Sequence, residues 1–457
     1  METRRKADPL FGFGQHPNLM FSRWRYLMEE RKKGMFAFAL AHAGRPISLR
    51  ELEGSRHPSV TLIPRDRFLS VEDGFGDLTL FEFEHQSIWF SSHDMYIESE
   101  DGWVFEALRQ TPFLRLHEIP ELGFLVPYDP DGSAYLDSIF PHSRADHVWV
   151  AAGLAEILLA RNGFPADMRA PIVLTVGSHD IAMPIGGDGI KAIDPEFLNE
   201  EANFTWVLQR HGLDTLWEKQ FGFQIETAAR WVKNEGVIGR FLDVVDKLSY
   251  VMLDCYWIGI AEDGAVRNYC REHPLFMDAW NDLIFSADKQ RFGFTNPDRL
   301  YEFLMARALE HVELLYNPNS RLIDFCVANL VRPLYQTGKI TREQLLTMSK
   351  YEFYYELTKH YPARRLNPEL IDLNSMEYRR FTTREEADAF SASIHVFHRE
   401  HVRGFDPCLD WPIADDAACT STRPLRELLS LDQIRALESL VDQVRGYYVY
   451  WRTSPAK

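Results

Sequence analysis

Four residues of types that bind metal ions recur in a set order along this chain: His147, the adjacent pair His179 and Asp180, and Asp246. Each lies in or beside a stretch with helical periodicity. Side chains so far apart in sequence can share one cation only where several helices converge, so the feature calls for a helical bundle with a polar centre. Two imidazoles with two carboxylates suit a divalent ion, with Mn, Mg, Fe, Zn, Ni and Co all candidates. Such an ion lowers the pKa of water and polarises a phosphoryl oxygen. The set therefore narrows the chemistry to attack on phosphate esters or, less often, oxygen chemistry at iron. A His–Asp dipeptide by itself is common, so the weight rests on the segments around it.

Those segments read as helices. HVWVAAGLAEILLARNG (147–163) has apolar residues at helical spacing and ends on Asn-Gly, a stop signal. PIVLTVGSHDIA (171–182) is a short apolar run that ends at the His–Asp pair, with Gly177 two residues before His179. RFLDVVDKLSYVMLDCYWIGIA (240–261) carries Asp246, Tyr250 and Asp254 four residues apart, on one helical face. Upstream, residues 18–42 read as a helix. Residues 59–105 show alternating, aromatic-rich runs punctuated by Asp-Gly and Gly-Asp, which are strand and turn signals. From about 336 the pattern is again helical, turns loop-like through Gly404–Arg423, and ends in an amphipathic helix over roughly 424–451. The expected architecture is mainly α. It has a mixed α/β N-terminal region (1–105), a helical metal-site domain (106–335) and a helical C-terminal region (336–457) for assembly or regulation.

The chain of 457 residues is long enough for two or three domains with a large core. Its net charge of -17 argues against a general nucleic-acid binder. It leaves a nucleotide substrate open, since bound metal and a few local cations neutralise phosphates. Five cysteines without a CxxC spacing suggest reduced thiols and a cytoplasmic protein. The N-terminus has no apolar core of a signal peptide, and no run of about 18 apolar residues predicts a membrane span.

Two blocks resemble the HD-domain deoxynucleoside triphosphate triphosphohydrolases. TPFLRLHEIPELG (111–123) and SRADHVWVAAGLA (143–155) are similar to the opening of that family, and DVVDKLSYVMLDCYWIGI (243–260) is similar to its later DVDKxDYxxRD block. The similarity covers roughly residues 105–260, with a weaker echo at Leu315-Tyr316-Asn317. It implies an HD fold with His147, His179, Asp180 and Asp246 as metal ligands. It further implies Arg144 as a substrate-facing arginine, Lys247 on phosphate, Tyr250 as a pocket wall, Asp254 on a sugar hydroxyl, and Glu121 and Tyr316 near the substrate. Residue chemistry is compatible with these roles: Lys247 is a point charge beside a ligand carboxylate, and Tyr250 and Asp254 follow Asp246 by one and two turns. Each also has a plain reading, as a solvated lysine, a core tyrosine and a locally bonded aspartate. The family's tendency to assemble implies a homo-oligomer.

The chain departs from the family beyond the His–Asp pair. Where the family continues Gly-His, this sequence has Ala182-Met183, and where a further histidine follows it has Gly187 or Asp188. A downstream His-Glu pair becomes Asn199-Glu200-Glu201. The imidazoles that serve phosphoryl chemistry are thus gone, and Asp188 and Glu200 are the candidate general acid/base groups, provided burial raises a carboxyl pKa. The expected function is a metal-dependent phosphohydrolase acting on a nucleotide or deoxynucleotide, resembling a dNTP triphosphohydrolase. The alternatives are a nucleotide sensor with lost catalysis and a di-iron HD oxygenase, which needs histidines this sequence offers few of.

Other motifs carry less. HEIPELG at 117 is not HExxH. Asp129-Pro-Asp-Gly-Ser starts like a calcium loop, but Phe140 stands where the bidentate Glu belongs. The glycines at 186–189 lack the GK[ST] of a P-loop. His142 and His211 are candidate pocket acids or surface histidines, and Arg307 either reaches phosphate or forms a salt bridge.

Overall fold

The computed structural model describes residues 143–260, 265–361 and 376–452, together with Phe113, 115–119 and five short N-terminal strands. Those strands are β1 (Ile47–Ser48), β2 (Thr61–Leu62), β3 (Leu80–Phe83), β4 (Ser87–Phe90) and β5 (Met95–Glu98). β1 pairs with β2, and β3, β4 and β5 form an antiparallel meander. The strand signals over 59–105 thus correspond to real strands. The expected helix at 18–42 lies outside the described residues, as do Glu121 and His142.

The bundle is built on α1 (Arg144–Arg161), α2 (Ala166–Ser178) and α7 (Gly236–Ile260). Between α2 and α7 run α3 (Gly187–Lys191), α4 (Glu200–Arg210), α5 (Leu213–Phe221) and α6 (Ile225–Val232). α2 is buried over its whole second half, from Pro171 to Ser178, which explains why its sequence is apolar with little periodicity. Pro171 sits inside the helix and supplies no N–H there. Thr175 and Ser178 turn their hydroxyls back onto the carbonyls of Pro171 and Leu174, both at 2.7 Å, and so hide two polar groups in an apolar core. α7 runs for 25 residues and packs against both α1 and α2.

After α7 come α8 (Ala265–Glu272), the hairpin β6 (Leu283–Phe285) and β7 (Phe292–Phe294), and α9 (Pro297–Glu310). One π-helical turn, His311–Leu315, interrupts the path from α9 into α10 (Pro318–Gln336), and α11 (Arg342–Thr347) and α12 (Lys350–His360) follow. The C-terminal part contains β8 (Met376–Phe381), α13 (Arg384–Ser391), β9 (Val396–Val402), β10 (Pro412–Ala414), β11 (Thr422–Pro424), α14 (Leu431–Val444) and β12 (Gly446–Arg452). Four of these later helices start on capping boxes, at Thr341, Ser349, Thr383 and Ser430. Each such cap is worth about 1 kcal/mol.

The mainly-α class holds, but the C-terminal region, expected to be helical with a loop through Gly404–Arg423, also contains five strands. The helix read over 424–451 ends at Val444, and residues 446–452 (GYYVYWR) form the central strand of an antiparallel sheet, ordered β8-β12-β9. Tyr, Val and Trp fit a pleated surface covered on both sides. Here α13 lies on one face through Phe390 and Trp451, and Phe325 of α10 packs on the other against Tyr448 and Tyr450. The apolar spacing that looked helical therefore belongs to two elements.

A second small sheet, ordered β11-β10-β7-β6, ties the C-terminal part to the bundle. β10 runs parallel to β7, with Ile413 opposite Phe294. A Cβ on Gly293 would come within 2.8 Å of the Ala414 backbone nitrogen, so only glycine permits this approach. Trp411 then stacks on Phe294 with ring centroids 5.7 Å apart.

His398, on β9, stacks on Phe325 at 3.8 Å, and its pKa is lowered to about 4 by burial and by Arg332 and Arg321. Folding thus depresses this pKa below the unfolded value of about 6.5, so the unfolded chain takes up the proton first. The stabilisation from neutral His398 is complete above pH about 6.5 and is lost as the pH falls toward 4. In urea denaturation, His398→Phe should lose about 2 kcal/mol less stability than the parent between pH 7 and pH 4.5. Equal losses in both proteins would contradict this account.

Candidate metal centre

Two imidazoles and one carboxylate meet where α1, the end of α2 and α7 converge. His147 lies on α1, His179 directly follows α2, and Asp246 lies on α7. The His147 Nε2 is 3.2 Å from the His179 Nε2, and the Asp246 Oδ1 is 2.9 Å and 3.1 Å from the two nitrogens. Donor atoms of one ion held at about 2.1 Å and roughly right angles are about 3 Å apart, so the three positions suit a single first-row cation.

The tautomers are set from behind. His179 Nδ1–H donates to the Val176 carbonyl at 2.6 Å. Ser249 gives its hydroxyl proton to the Asp246 carbonyl at 2.8 Å, so its oxygen accepts from His147 Nδ1–H at 3.1 Å. Both Nε2 lone pairs therefore point at Asp246 Oδ1. Three lone-pair atoms in mutual contact repel unless a proton or a cation stands among them. The electrostatics record that demand. Burial by itself would lower the His179 pKa, but Asp180 and Asp246 outweigh it and raise it to about 10. The Asp246 carboxyl is held well below its usual range despite its burial, by the two imidazoles, which donate to it and carry positive charge when their Nε2 atoms are protonated. The residues present fit a divalent metal ion.

Asp180 stands at the edge of this cluster. Its Oδ2 is 3.9 Å and 3.8 Å from the two Nε2 atoms and 3.0 Å from an Arg144 guanidinium nitrogen. Burial pushes its pKa up, but Arg144 and the two imidazoles prevail and lower it. Arg144 also reaches Asp188 at 3.3 Å. Glu200, at the start of α4, bonds Lys191 of α3 at 2.6 Å. Burial raises the Glu200 pKa, Lys191 opposes it, and Asp188 and Asp180 push the same way as burial. α3 can pack this closely because residue 189 is glycine: a Cβ there would sit 2.9 Å from the Cβ of Asp324.

A cavity of about 490 Å³ opens onto the cluster. Arg144, Tyr250, Asp254 and Tyr316 line it, as do Asp188 and Glu200. Tyr250 is fixed by Arg307, whose Nε donates to the phenol oxygen at 2.6 Å. Arg307 is thus buried behind the wall, bonded also to the Asp406 carbonyl at 2.7 Å, rather than facing the cavity. Lys247 pairs with Asp243, four residues back on α7, and does not line the cavity. His211 is exposed and also lies off it.

Several residues here escaped sequence reasoning. His311 starts the π-helical turn and lines the cavity, with its Nδ1 2.9 Å from the Arg307 carbonyl and its ring beside Phe405, Tyr316 and Tyr250. Its pKa is well below the ordinary value because it is buried and faces Arg307. A π-turn has no composition signal, although such turns often mark functional sites. Its spacing from Arg307, one helical turn, was the available clue. Arg321 and Asp324, on α10, lie outside both blocks of similarity. Arg321 lies over the Tyr316 ring at 5.4 Å and bonds Glu400 of β9 through two nitrogens, at 2.5 Å and 2.9 Å.

Neither a family model nor a curated protein matches the chain by sequence. Solved structures do match in shape. A hypothetical protein from Aquifex aeolicus aligns with a TM-score of 0.58 at 14% identity, over 81% of this chain and 96% of that one. A phosphohydrolase from Bacteroides thetaiotaomicron aligns with a TM-score of 0.53 at 15% identity, over 78% and 97%. At such identities the likeness shows a shared fold. No helix among the described residues is long and apolar enough to cross a membrane.

Two substitutions probe the centre. Asp246→Ala should abolish stoichiometric binding of Mn or Co, measured by metal content after gel filtration. Ser249→Ala leaves the three ligand atoms in place but removes the partner of His147 Nδ1, and should weaken metal affinity by about 10- to 100-fold. Full affinity in Ser249→Ala would show that the hydroxyl does not orient the ring.

Proposed function

We propose that this protein is a metal-dependent phosphohydrolase acting on a nucleotide. The observation that carries the reading is the convergence of His147 Nε2, His179 Nε2 and Asp246 Oδ1 on one point at the floor of a cavity. The fold is shared with a protein named as a phosphohydrolase, and the two sequence blocks that resemble HD-domain triphosphohydrolases contribute to this floor and its walls.

His147, His179 and Asp246 would hold the ion, with Asp180 beside them. The ion would supply a water of lowered pKa and a Lewis acid for a phosphoryl oxygen. Arg144, steadied by Asp180 and Asp188, would turn its guanidinium to the phosphate. Glu200, kept protonated by burial to higher pH than an exposed glutamate, would give a proton to the leaving oxygen. Tyr250, Asp254 and Tyr316 would line the sugar and base side. Among nucleotides, the resemblance in sequence names deoxynucleoside triphosphates as first substrates to try. A second reading, a nucleotide sensor, is favoured by Ala182 and Met183, which are buried apolar side chains where the family has Gly-His.

Metal-loaded protein should release phosphate or polyphosphate from some member of a nucleotide panel. That rate should fall by more than about 100-fold in Asp246→Ala, the scale on which lost metal chemistry is felt. Binding of metal and nucleotide with no turnover across the panel would replace the hydrolase with the sensor.

A further inference from the structure

We infer that the nucleotide this site accepts carries a single phosphate rather than a triphosphate; the inference rests on the phosphohydrolase reading above. The ground is the charge of the cavity. Among the described residues, eight carboxyl groups line it, Asp180, Asp188, Glu200, Asp243, Asp254 and Asp324 among them, against two guanidinium groups, Arg144 and Arg321. One divalent ion at the histidine cluster leaves that balance strongly negative.

The two arginines that line the cavity are, moreover, already engaged by carboxylates. Arg144 is bonded to Asp180 and Asp188, and Arg321 to Glu400. Just behind the wall, Lys191 lies between Asp188 and Glu200, and Lys247 is on Asp243. A monophosphate ester brings a charge of about -1.5 to -2, which the ion and Arg144 can match. Each further phosphoryl group adds negative charge that would face carboxylates, and like-charged surfaces repel both in encounter and in the complex. The same carboxylates suit the other half of a nucleoside monophosphate, because sugar hydroxyls and exocyclic amines donate hydrogen bonds and carboxylates accept them.

The reaction is a phosphomonoester hydrolysis. The water oxygen bonds to phosphorus as the bond from phosphorus to the sugar oxygen breaks. One water proton passes to that leaving oxygen, and the other stays on inorganic phosphate. The products are a nucleoside and phosphate, with no redox change.

The test is a charge ladder. The Mn-loaded full-length protein is assayed with AMP, ADP and ATP and their deoxy and guanine counterparts, and slowly hydrolysed thiophosphate analogues report binding. We expect kcat/KM for the monophosphate to exceed that for the triphosphate by at least about tenfold at low salt. Raising salt should narrow the gap, because screening relieves the repulsion of the polyanion. Asp243→Asn, which removes one carboxylate and releases Lys247, and Asp324→Asn, which removes another, should each raise the triphosphate-to-monophosphate ratio severalfold. Triphosphates hydrolysed as well as monophosphates, or better, would overturn the inference and leave the phosphohydrolase intact, and so would a ratio unmoved in both variants. No turnover on any member, with metal bound, would remove the phosphohydrolase reading and this inference together.

Discussion

The contacts on which this site depends are two hydrogen bonds made by the far sides of its imidazoles. Val176 accepts from one Nδ1–H and Ser249 from the other, and both acceptors lie next to the ligands in sequence. The carbonyl is presented by the last turn of α2, and Ser249 lies one turn after Asp246 on α7. Orientation of the lone pairs is therefore a product of helix geometry, and the packing of α1, α2 and α7 decides whether they meet. The apolar second half of α2 and the long α7 are what hold the three donors within about 3 Å of one another. An error of one residue in the register of either helix would turn a ligand into the core.

The bundle was readable from the sequence because its helices are long and its polar residues are few and clustered. Asp246, Tyr250 and Asp254 follow a helical period, and all three face the cavity. His147 lies in SRADHVWVAAGLA, and His179 ends an apolar run. What stayed hidden depends on contacts across distant segments. Arg321 matters because Glu400 holds it over Tyr316, and nothing near either residue announces the partner. Arg307 was open between phosphate and structure, and the fold gives it to Tyr250. The C-terminal strands were missed for a different reason: GYYVYWR follows an amphipathic helix directly, and aromatic residues at short spacing satisfy either period.

The outer ring of the site is a network of ion pairs around the His147, His179 and Asp246 cluster. Asp188 takes up the second nitrogen of Arg144, and Lys191 holds Glu200 beside it. Arg144, Asp188, Lys191 and Glu200 thus form an ion-paired chain of two carboxylates and two cations beside the cluster.

The bond from Arg321 to Glu400 gives the C-terminal sheet a part in the cavity. Glu400 sits on β9 and also accepts the Tyr450 hydroxyl from β12, at 2.6 Å, so an arginine of the pocket wall is anchored through two strands of a different layer. With β10 laid along β7, the last eighty or so residues are stitched to the bundle at two separate places. The C-terminal part for that reason braces a wall of the site from behind and is not a detachable appendage. A chain cut before β8 would leave the half-buried Arg321 guanidinium without its Glu400 carboxylate, and any binding event that shifts the sheet would be felt first at the ring of Tyr316.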